Sequence, residues 1–167
     1  AVVGAGPAGI AVAEQLANAG HAITIFDAWP KPGGVLRYGI PDFKLEKHIV
    51  DEKIESLRLL PITFVQDARI GGQGNKSVDD LLAEGYDAVF LGHGASVGNP
   101  LEIDGGDLTG VMQATDFLSR ANLTKDELPP HMHEPLHVGR RIVIIGGGDT
   151  SMDCARSAIR LGARPCL

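Results

Sequence analysis

The sequence predicts an α/β fold in which helices cover a mainly parallel β-sheet. Short apolar segments of strand length alternate with helical segments along most of the chain. Two strand–helix pairs are joined by glycine-rich turns, AVVGAGPAGIAVAEQL at residues 1–16 and IVIIGGGDTSMDCARSAI at residues 142–159. Because a glycine turn between strand and helix is typical of a Rossmann-like, three-layer unit, the chain is predicted to contain parts of two such units.

The composition limits the class of protein. The 167 residues are 44% hydrophobic and 22% charged, with a net charge of −6, which suits one or two globular domains with a sizeable core. The mild acidity, without a basic stripe, argues against a nucleic-acid partner. No apolar run of membrane-spanning length and no signal peptide are visible, so no membrane partner is expected. Cys154 and Cys166 imply no disulfide framework, which favours a cytoplasmic location.

Helices are predicted over residues 8–19 and 44–60, and strands over 22–27 and 62–65. Residues 28–43 are predicted to be a loop because prolines and glycines interrupt them repeatedly. The residues predicted to face the core are Ala8, Val12, Leu16 and Ala19 in the first helix, and Leu45, Ile49, Ile54 and Leu57 in the second.

The second half of the chain continues the alternation. Ser77 is predicted to cap a short helix that ends at Ala83. Residues 128–139 are proline-rich and are predicted to be a linker. The remaining predicted elements are strands at 87–92 and 141–145 and helices near 112–121 and at 149–161.

The first glycine turn, Gly4-Ala5-Gly6-Pro7-Ala8-Gly9, follows the G-x-G-x-x-G pattern. The first glycine permits the tight turn, the second lets the backbone approach a pyrophosphate, and the third lets the helix pack on the strand. The N-terminus of the helix adds free N–H groups and the positive end of its dipole. Asp27 ends the next strand, where an acid accepts hydrogen bonds from ribose hydroxyls, so a dinucleotide site is predicted.

A further strand, YDAVFLGHGA at residues 86–95, ends in Gly92-x-Gly94-Ala95. Such a run returns the chain to the nucleotide domain in flavoproteins that have two dinucleotide domains. Together with the first turn and Asp27, it favours FAD over NAD at the first site.

Longer segments carry a family resemblance, above all GGVLRYGIPDFKL at residues 33–45 and GGGDTSMDCARSAIRLGA at residues 146–163. Over nearly its whole length the chain resembles the small (beta) subunit of glutamate synthase. It is also similar to the corresponding part of dihydropyrimidine dehydrogenase and to the flavin subunit of electron-bifurcating NADH-dependent ferredoxin:NADP oxidoreductases. The resemblance implies an enzyme in which FAD accepts a hydride from NADPH or NADH. Electrons then pass to iron–sulfur clusters outside this segment, in a subunit or domain like the glutamate synthase large subunit.

The resemblance also implies cofactor-binding residues. Gly34 and Val35 are expected along the FAD, Lys44 near the flavin nucleotide and Ile70 near the adenine. The full set expected to bind FAD is Gly4, Ala5, Gly6, Pro7, Ala8, Gly9, Asp27, Gly34, Val35, Lys44, Ile70 and Gly94. The set expected to bind NAD(P) is Gly146, Gly147, Gly148, Asp149, Thr150 and Ser151.

Two residues depart from the family pattern. Ser151 stands where the family usually has alanine, and it is small enough to keep the contact between helix and strand. His93 stands between Gly92 and Gly94, where the family more often has a smaller residue, and it is expected to alter packing near the flavin.

Other chemistries have little support in the sequence. No C-x-x-x-x-C or C-x-x-C pair is present, so no disulfide relay is expected, and Cys154 is predicted to be a small buried residue. His131, His133 and His137 lie in the proline-rich linker, which lacks a scaffold for a metal, and no metal site is predicted. No general acid or base is nominated, because hydride transfer is the chemistry of the cofactors. Lys44 is the best electrostatic candidate, and its alternative role is that of a solvated lysine at a helix start.

The predicted domains follow from the two turns: residues 1–97 form the N-terminal part of an FAD-binding domain, 98–139 connect, and 140–167 begin an NAD(P)-binding domain. The chain is therefore expected to be an incomplete piece, and the side chain that selects NAD or NADP is expected beyond Leu167. Two alternatives stay open. One is the flavin segment of a bifurcating transhydrogenase, a hydrogenase-associated subunit or a dihydropyrimidine-dehydrogenase-like enzyme. The other is a non-catalytic nucleotide-binding or assembly module.

Overall fold

A computed structural model describes the backbone of residues 1–166 and the side chains of residues 1–164. Leu167 and the side chains of Pro165 and Cys166 lie outside the described residues. The β-strands are β1 (Val2–Val3), β2 (Ile23–Phe26), β3 (Ile62–Val65), β4 (Phe90–Leu91), β5 (Arg141–Val143) and β6 (Arg164–Cys166). The α-helices are α1 (Pro7–Asn18), α2 (Val35–Tyr38), α3 (Lys47–Leu57), α4 (Val78–Ala83), α5 (Ala114–Asn122) and α6 (Asp149–Arg160).

The described residues form two compact units. The first unit consists of Ala1–Arg37 and Leu45–Gly94, and the second consists of Tyr38–Lys44 together with the residues from Ala95 onward. Each unit contains one of the two glycine-rich turns. The short segment Tyr38–Lys44 therefore belongs to the second unit although both of its flanks in sequence belong to the first.

The first unit is built on a parallel sheet with the strand order β3-β2-β1-β4. Alternate side chains of these strands point to opposite faces of the sheet. Val2 and Ile25 pack with apolar residues of α1 and α3 on one face, whereas Val3 and Phe26 pack with Leu81 of α4 on the other. The predicted α/β fold, with helices on both faces of a parallel sheet, is confirmed.

The predicted core faces of two helices are partly wrong. In α1 the buried residues are Gly9, Ile10, Ala13 and Ala17, while Leu16 is 39% exposed. In α3 the buried residues are Val50, Ile54 and Leu57, while Ile49 is 48% exposed. Alanines lie on several sides of α1, so the spacing of its apolar residues does not show which side is buried. The buried side is the one that packs against the backbone of β1.

The second unit contains α5, α6 and the parallel pair of β5 and β6. The predicted linker at 128–139 includes a short 3₁₀ turn at Pro130–Met132, and another lies at Lys125–Glu127. Among the described helices, none combines the length and apolar character needed to cross a membrane.

Candidate dinucleotide-binding sites

The first glycine turn connects β1 to α1, and packing explains its first and third glycines. Gly4 has φ +100°, and a Cβ there would lie 2.6 Å from the carbonyl oxygen of Gly92. A Cβ on Gly9 would lie 1.9 Å from the carbonyl oxygen of Gly4. A side chain at Gly4 would therefore collide with the segment after β4, and one at Gly9 would push α1 away from β1 and the turn.

The second glycine, Gly6, is different because protein atoms do not crowd it. A Cβ there would lie 3.7 Å from the Cα of Gly34, which is ordinary contact distance. Gly6 is the N-cap of α1 and provides no side chain to cap the helix, and Pro7 follows it. The N–H groups of the first helical turn have no intrahelical acceptors, so they are donors suited to an anion.

A second loop, Pro32-Gly33-Gly34, lies against this turn. The Gly33 N–H donates to the carbonyl oxygen of Ala5 at 2.8 Å, and Gly34 has φ +52° with its Cα facing Gly6. The guanidinium of Arg37, only 2% exposed, donates from Nε to the carbonyl oxygen of Pro32 at 2.9 Å. Sequence reasoning selected Gly34 but missed Gly33 and Arg37. The adjacent glycines at positions 33 and 34 were a signal that this loop approaches another backbone closely.

Arg37 is itself paired with a carboxylate of α3. Its Nη2 forms a salt bridge with Oδ1 of Asp51. A buried guanidinium requires such a partner, because an unpaired charge in the interior is costly. The loop beside the first glycine turn is thus fixed through Arg37 to a second helix of the same unit.

Asp27 follows β2 and holds the glycine turn from the other side. Its Oδ2 accepts a hydrogen bond from the Ala5 N–H at 2.5 Å, and its Oδ1 accepts one from the Trp29 N–H at 2.8 Å. Burial raises the pKa of the Asp27 carboxyl, and the two hydrogen bonds from backbone N–H groups oppose that shift. Each carboxylate oxygen keeps a further lone pair that can accept a hydroxyl proton.

The second glycine turn connects β5 to α6. Gly146 has φ +133°, and a Cβ there would lie 2.4 Å from Oγ of Ser151. Among the described residues other than their chain neighbours, no atom lies within 4 Å of a Cβ built on Gly147 or Gly148, and Gly148 caps α6 without a side-chain hydrogen bond. Ser151 thus occupies the position of Gly9 in the first turn and keeps a side chain there.

The remaining predicted site residues have varied surroundings. Val35 begins α2 and is 56% exposed. Gly94 has φ +67° with open space around it, while its neighbour Gly92 makes the close contact with Gly4. Ile70 packs with the core cluster of Val3, Phe26 and Leu81. Lys44 lies in the second unit, where its Nζ is 2.9 Å from Oδ2 of Asp153.

Cys154 on α6 is buried, as predicted. Burial, with a smaller contribution from the Asp153 charge, raises the pKa of its thiol to about 11. The thiolate, which is the nucleophilic form, is therefore scarce at neutral pH. Cys154 packs on the buried side of α6 together with Ala155 and Ala158.

A family model described as pyridine nucleotide-disulphide oxidoreductase matches residues 1–166. The chain belongs to this family. Members are named for disulphide chemistry, yet this chain has only two cysteines, and the described one, Cys154, is buried. The features that this chain shares with the family are therefore the two glycine turns and not a pair of cysteines.

Comparison with individual proteins confirms the resemblance predicted from the sequence. The chain is 42% identical to the glutamate synthase [NADPH] small chain of Mycobacterium tuberculosis over 171 residues, which cover 98% of the chain and 34% of that protein. It is 37% identical to the glutamate synthase [NADH] of Schizosaccharomyces pombe, covering 98% of the chain and 8% of that protein. The chain thus spans about a third of the small-chain relative.

Solved structures agree with the same family. The chain superimposes on Mycobacterium tuberculosis FprA in complex with NADPH with a TM-score of 0.75 and 28% identity. The match covers 93% of this chain and 35% of FprA. FprA is therefore a solved oxidoreductase with the same local architecture as the described residues.

Proposed function

We propose that this chain supplies the start of an FAD site and the start of an NAD(P) site in a flavin oxidoreductase like the glutamate synthase small chain. The observation that carries the proposal is the first glycine turn. There an uncrowded Gly6 faces Gly34, and Asp27 holds the turn through the Ala5 N–H. A Cβ at Gly6 meets little protein, so the small size of this residue is better explained by a ligand than by packing.

The residues of the first unit fit FAD. The turn Gly4–Gly9, including Ala5, Pro7 and Ala8, would hold the pyrophosphate at the N-terminus of α1. Asp27 would accept hydrogen bonds from the adenosine ribose through its free lone pairs. Gly34, Val35, Ile70 and Gly94 complete the set that we propose for this unit, and the family resemblance is their support.

The residues of the second unit fit a nicotinamide nucleotide, NADPH or NADH. Gly146, Gly147, Gly148, Asp149, Thr150 and Ser151 would form its phosphate loop, with open space beside the two central glycines. When both cofactors are bound, the nicotinamide provides a hydride and the flavin accepts it. The chain's own residues bind and orient the nucleotides, and the uncapped helix N-termini stabilise phosphate charge.

The proposal extends to the whole protein by analogy with its relatives. Because the relatives include glutamate synthases, we infer that electrons leave through iron–sulfur clusters of a partner subunit or domain. We further infer a cytoplasmic location, which the sparing use of cysteine supports. The predicted division at 1–97, 98–139 and 140–167 stays a prediction, with Tyr38–Lys44 grouping with the second unit in the structure.

Flavin content tests this proposal. The natural polypeptide that carries residues 1–167 is purified, and the flavin released from it is identified and quantified by absorbance and chromatography. We expect a yellow protein that releases FAD, and an Asp27→Ala variant that retains much less FAD. A colourless protein that takes up no added FAD would contradict the proposal and favour a non-catalytic assembly module.

A further inference from the structure

The segment Tyr38–Lys44 is attached to the second unit by hydrogen bonds at its beginning. The Ser119 hydroxyl donates to the carbonyl oxygen of Tyr38 at 2.7 Å. The Tyr38 hydroxyl donates to the carbonyl oxygen of Glu127 at 3.1 Å. Both partners lie more than 80 residues further along the chain, so these contacts define the position of the segment within the folded unit.

The end of the segment packs on one face of α6. The centroid of the Phe43 ring lies 4.2 Å from the Cζ atom of Arg156 and 3.9 Å from that of Arg160. Guanidinium groups at these distances from a ring are attracted by its π electrons. Arg156 and Arg160 are one helical turn apart, so both lie on the face of α6 that Phe43 contacts. Lys44 directly follows Phe43, and this packing therefore keeps Lys44 beside the same helix.

Lys44 forms an ion pair with Asp153, which lies on this face of α6, three residues before Arg156. Its Nζ is 2.9 Å from Oδ2 of Asp153. The Asp153 side chain is 8% exposed and that of Lys44 is 37% exposed. A carboxylate this deeply buried depends on its partner cation far more than an exposed carboxylate does.

Asp153, the carboxylate of this ion pair, lies close in sequence to the second glycine turn, on the helix that follows the turn. Asp153 is one helical turn beyond Asp149, the first residue of α6. The second glycine turn and the first residues of α6, together residues 146–151, are the proposed site of the nucleotide phosphates. Any shift of this first turn of α6 would move the N–H groups that are to meet the phosphates.

We propose that Lys44 is a positioning residue for the nicotinamide nucleotide: by neutralising Asp153, it holds the first turns of α6 in the geometry that binds the phosphates. The inference deepens the proposed function and depends on it. It also differs from a direct contact between Lys44 and the flavin nucleotide. If Lys44 contacted the flavin nucleotide, its substitution would weaken FAD binding. The ion pair with Asp153 instead predicts weaker binding of NAD(P).

A double-mutant cycle separates these roles. The variants are Lys44→Met, Asp153→Asn and both together, made in the natural polypeptide that carries residues 1–167. Lys125→Met is the matched control, because Lys125 is an exposed lysine of the same unit. Dissociation constants for NADP⁺ and NAD⁺ are measured by calorimetry, alongside FAD content and the flavin absorbance spectrum.

We expect Lys44→Met to weaken binding of the preferred nucleotide on the order of tenfold, which is within the range for residues coupled in one salt bridge. FAD content and spectrum should be unchanged. Adding Asp153→Asn should restore most of the affinity, since no buried charge then needs a partner. If Lys44→Met alone does not fold, recovery of folding and nucleotide binding in the double variant supports the proposal equally.

Two results would overturn the inference. One is normal nucleotide binding by Lys44→Met. The other is a loss of FAD or of nucleotide affinity in Lys44→Met that Asp153→Asn does not relieve, since such a loss indicates a role independent of the ion pair. A wild-type protein that binds neither NADP⁺ nor NAD⁺ contradicts the proposed function itself. The wild-type protein is therefore measured first, before any variant is compared with it.

Discussion

At the scale of single residues, the first turn uses its glycines for different reasons. Gly4 and Gly9 are required because strand, turn and helix backbones approach too closely for a Cβ. Gly6 is surrounded by enough space for a methyl group, and we propose that the need for glycine there comes from a bound dinucleotide. The G-x-G-x-x-G pattern predicted the close packing at Gly4 and Gly9, and the approach of a pyrophosphate to Gly6 stays a prediction.

This difference predicts opposite outcomes for two alanine substitutions. Gly9→Ala places a Cβ against the carbonyl oxygen of Gly4 and should destabilise the fold by about 2 kcal/mol or more, measured by urea unfolding. Gly6→Ala should leave unfolding almost unchanged and still reduce FAD affinity, measured by fluorescence titration with FAD. Equal loss of stability in both variants, or normal FAD affinity in Gly6→Ala, would contradict this account.

At the scale of elements, tertiary contacts explain the features that the local sequence pattern did not predict. Residues 28–43 were predicted to be a loop, but they include the short helix α2, which presents the buried Arg37 to Pro32. In α3 the prediction was wrong at Ile49, which is exposed while Val50 is buried, and it was confirmed at Ile54 and Leu57. In both cases the contacts that determine the structure are made with other elements. Neither the spacing of prolines nor the periodicity of a single helix can predict such contacts.

The contacts of Arg37 predict a large effect of substitution there. Arg37→Met removes the hydrogen bond to Pro32 and the salt bridge to Asp51, and it should lower the free energy of unfolding by about 2–4 kcal/mol. Arg58→Met is the matched control, because its salt bridge with Glu55 is exposed. That variant should lose no more than about 1 kcal/mol in the same urea titration. Similar losses in both variants would show that Arg37 does not fix the loop.

At the scale of the whole molecule, the alternation of strands and helices and the two glycine turns were enough to predict the α/β fold, and the longer segments at residues 33–45 and 146–163 were needed to predict the family. The grouping of Tyr38–Lys44 with the second unit could not be predicted, since its partners Ser119, Glu127 and Asp153 are distant in sequence. The same distance explains why the ion pair of Lys44 was missed. Local sequence identifies where nucleotide sites begin, whereas their supporting contacts come from the folded chain.

The most direct test of the central claim is anaerobic reduction of the natural polypeptide that carries residues 1–167. The protein is loaded with FAD, oxygen is removed, and NADPH or NADH is added while flavin absorbance is followed. We expect at least one of the two nucleotides to bleach the flavin band, because the two turns are proposed to hold a hydride donor and its acceptor. An FAD-loaded protein that neither nucleotide bleaches would contradict the account.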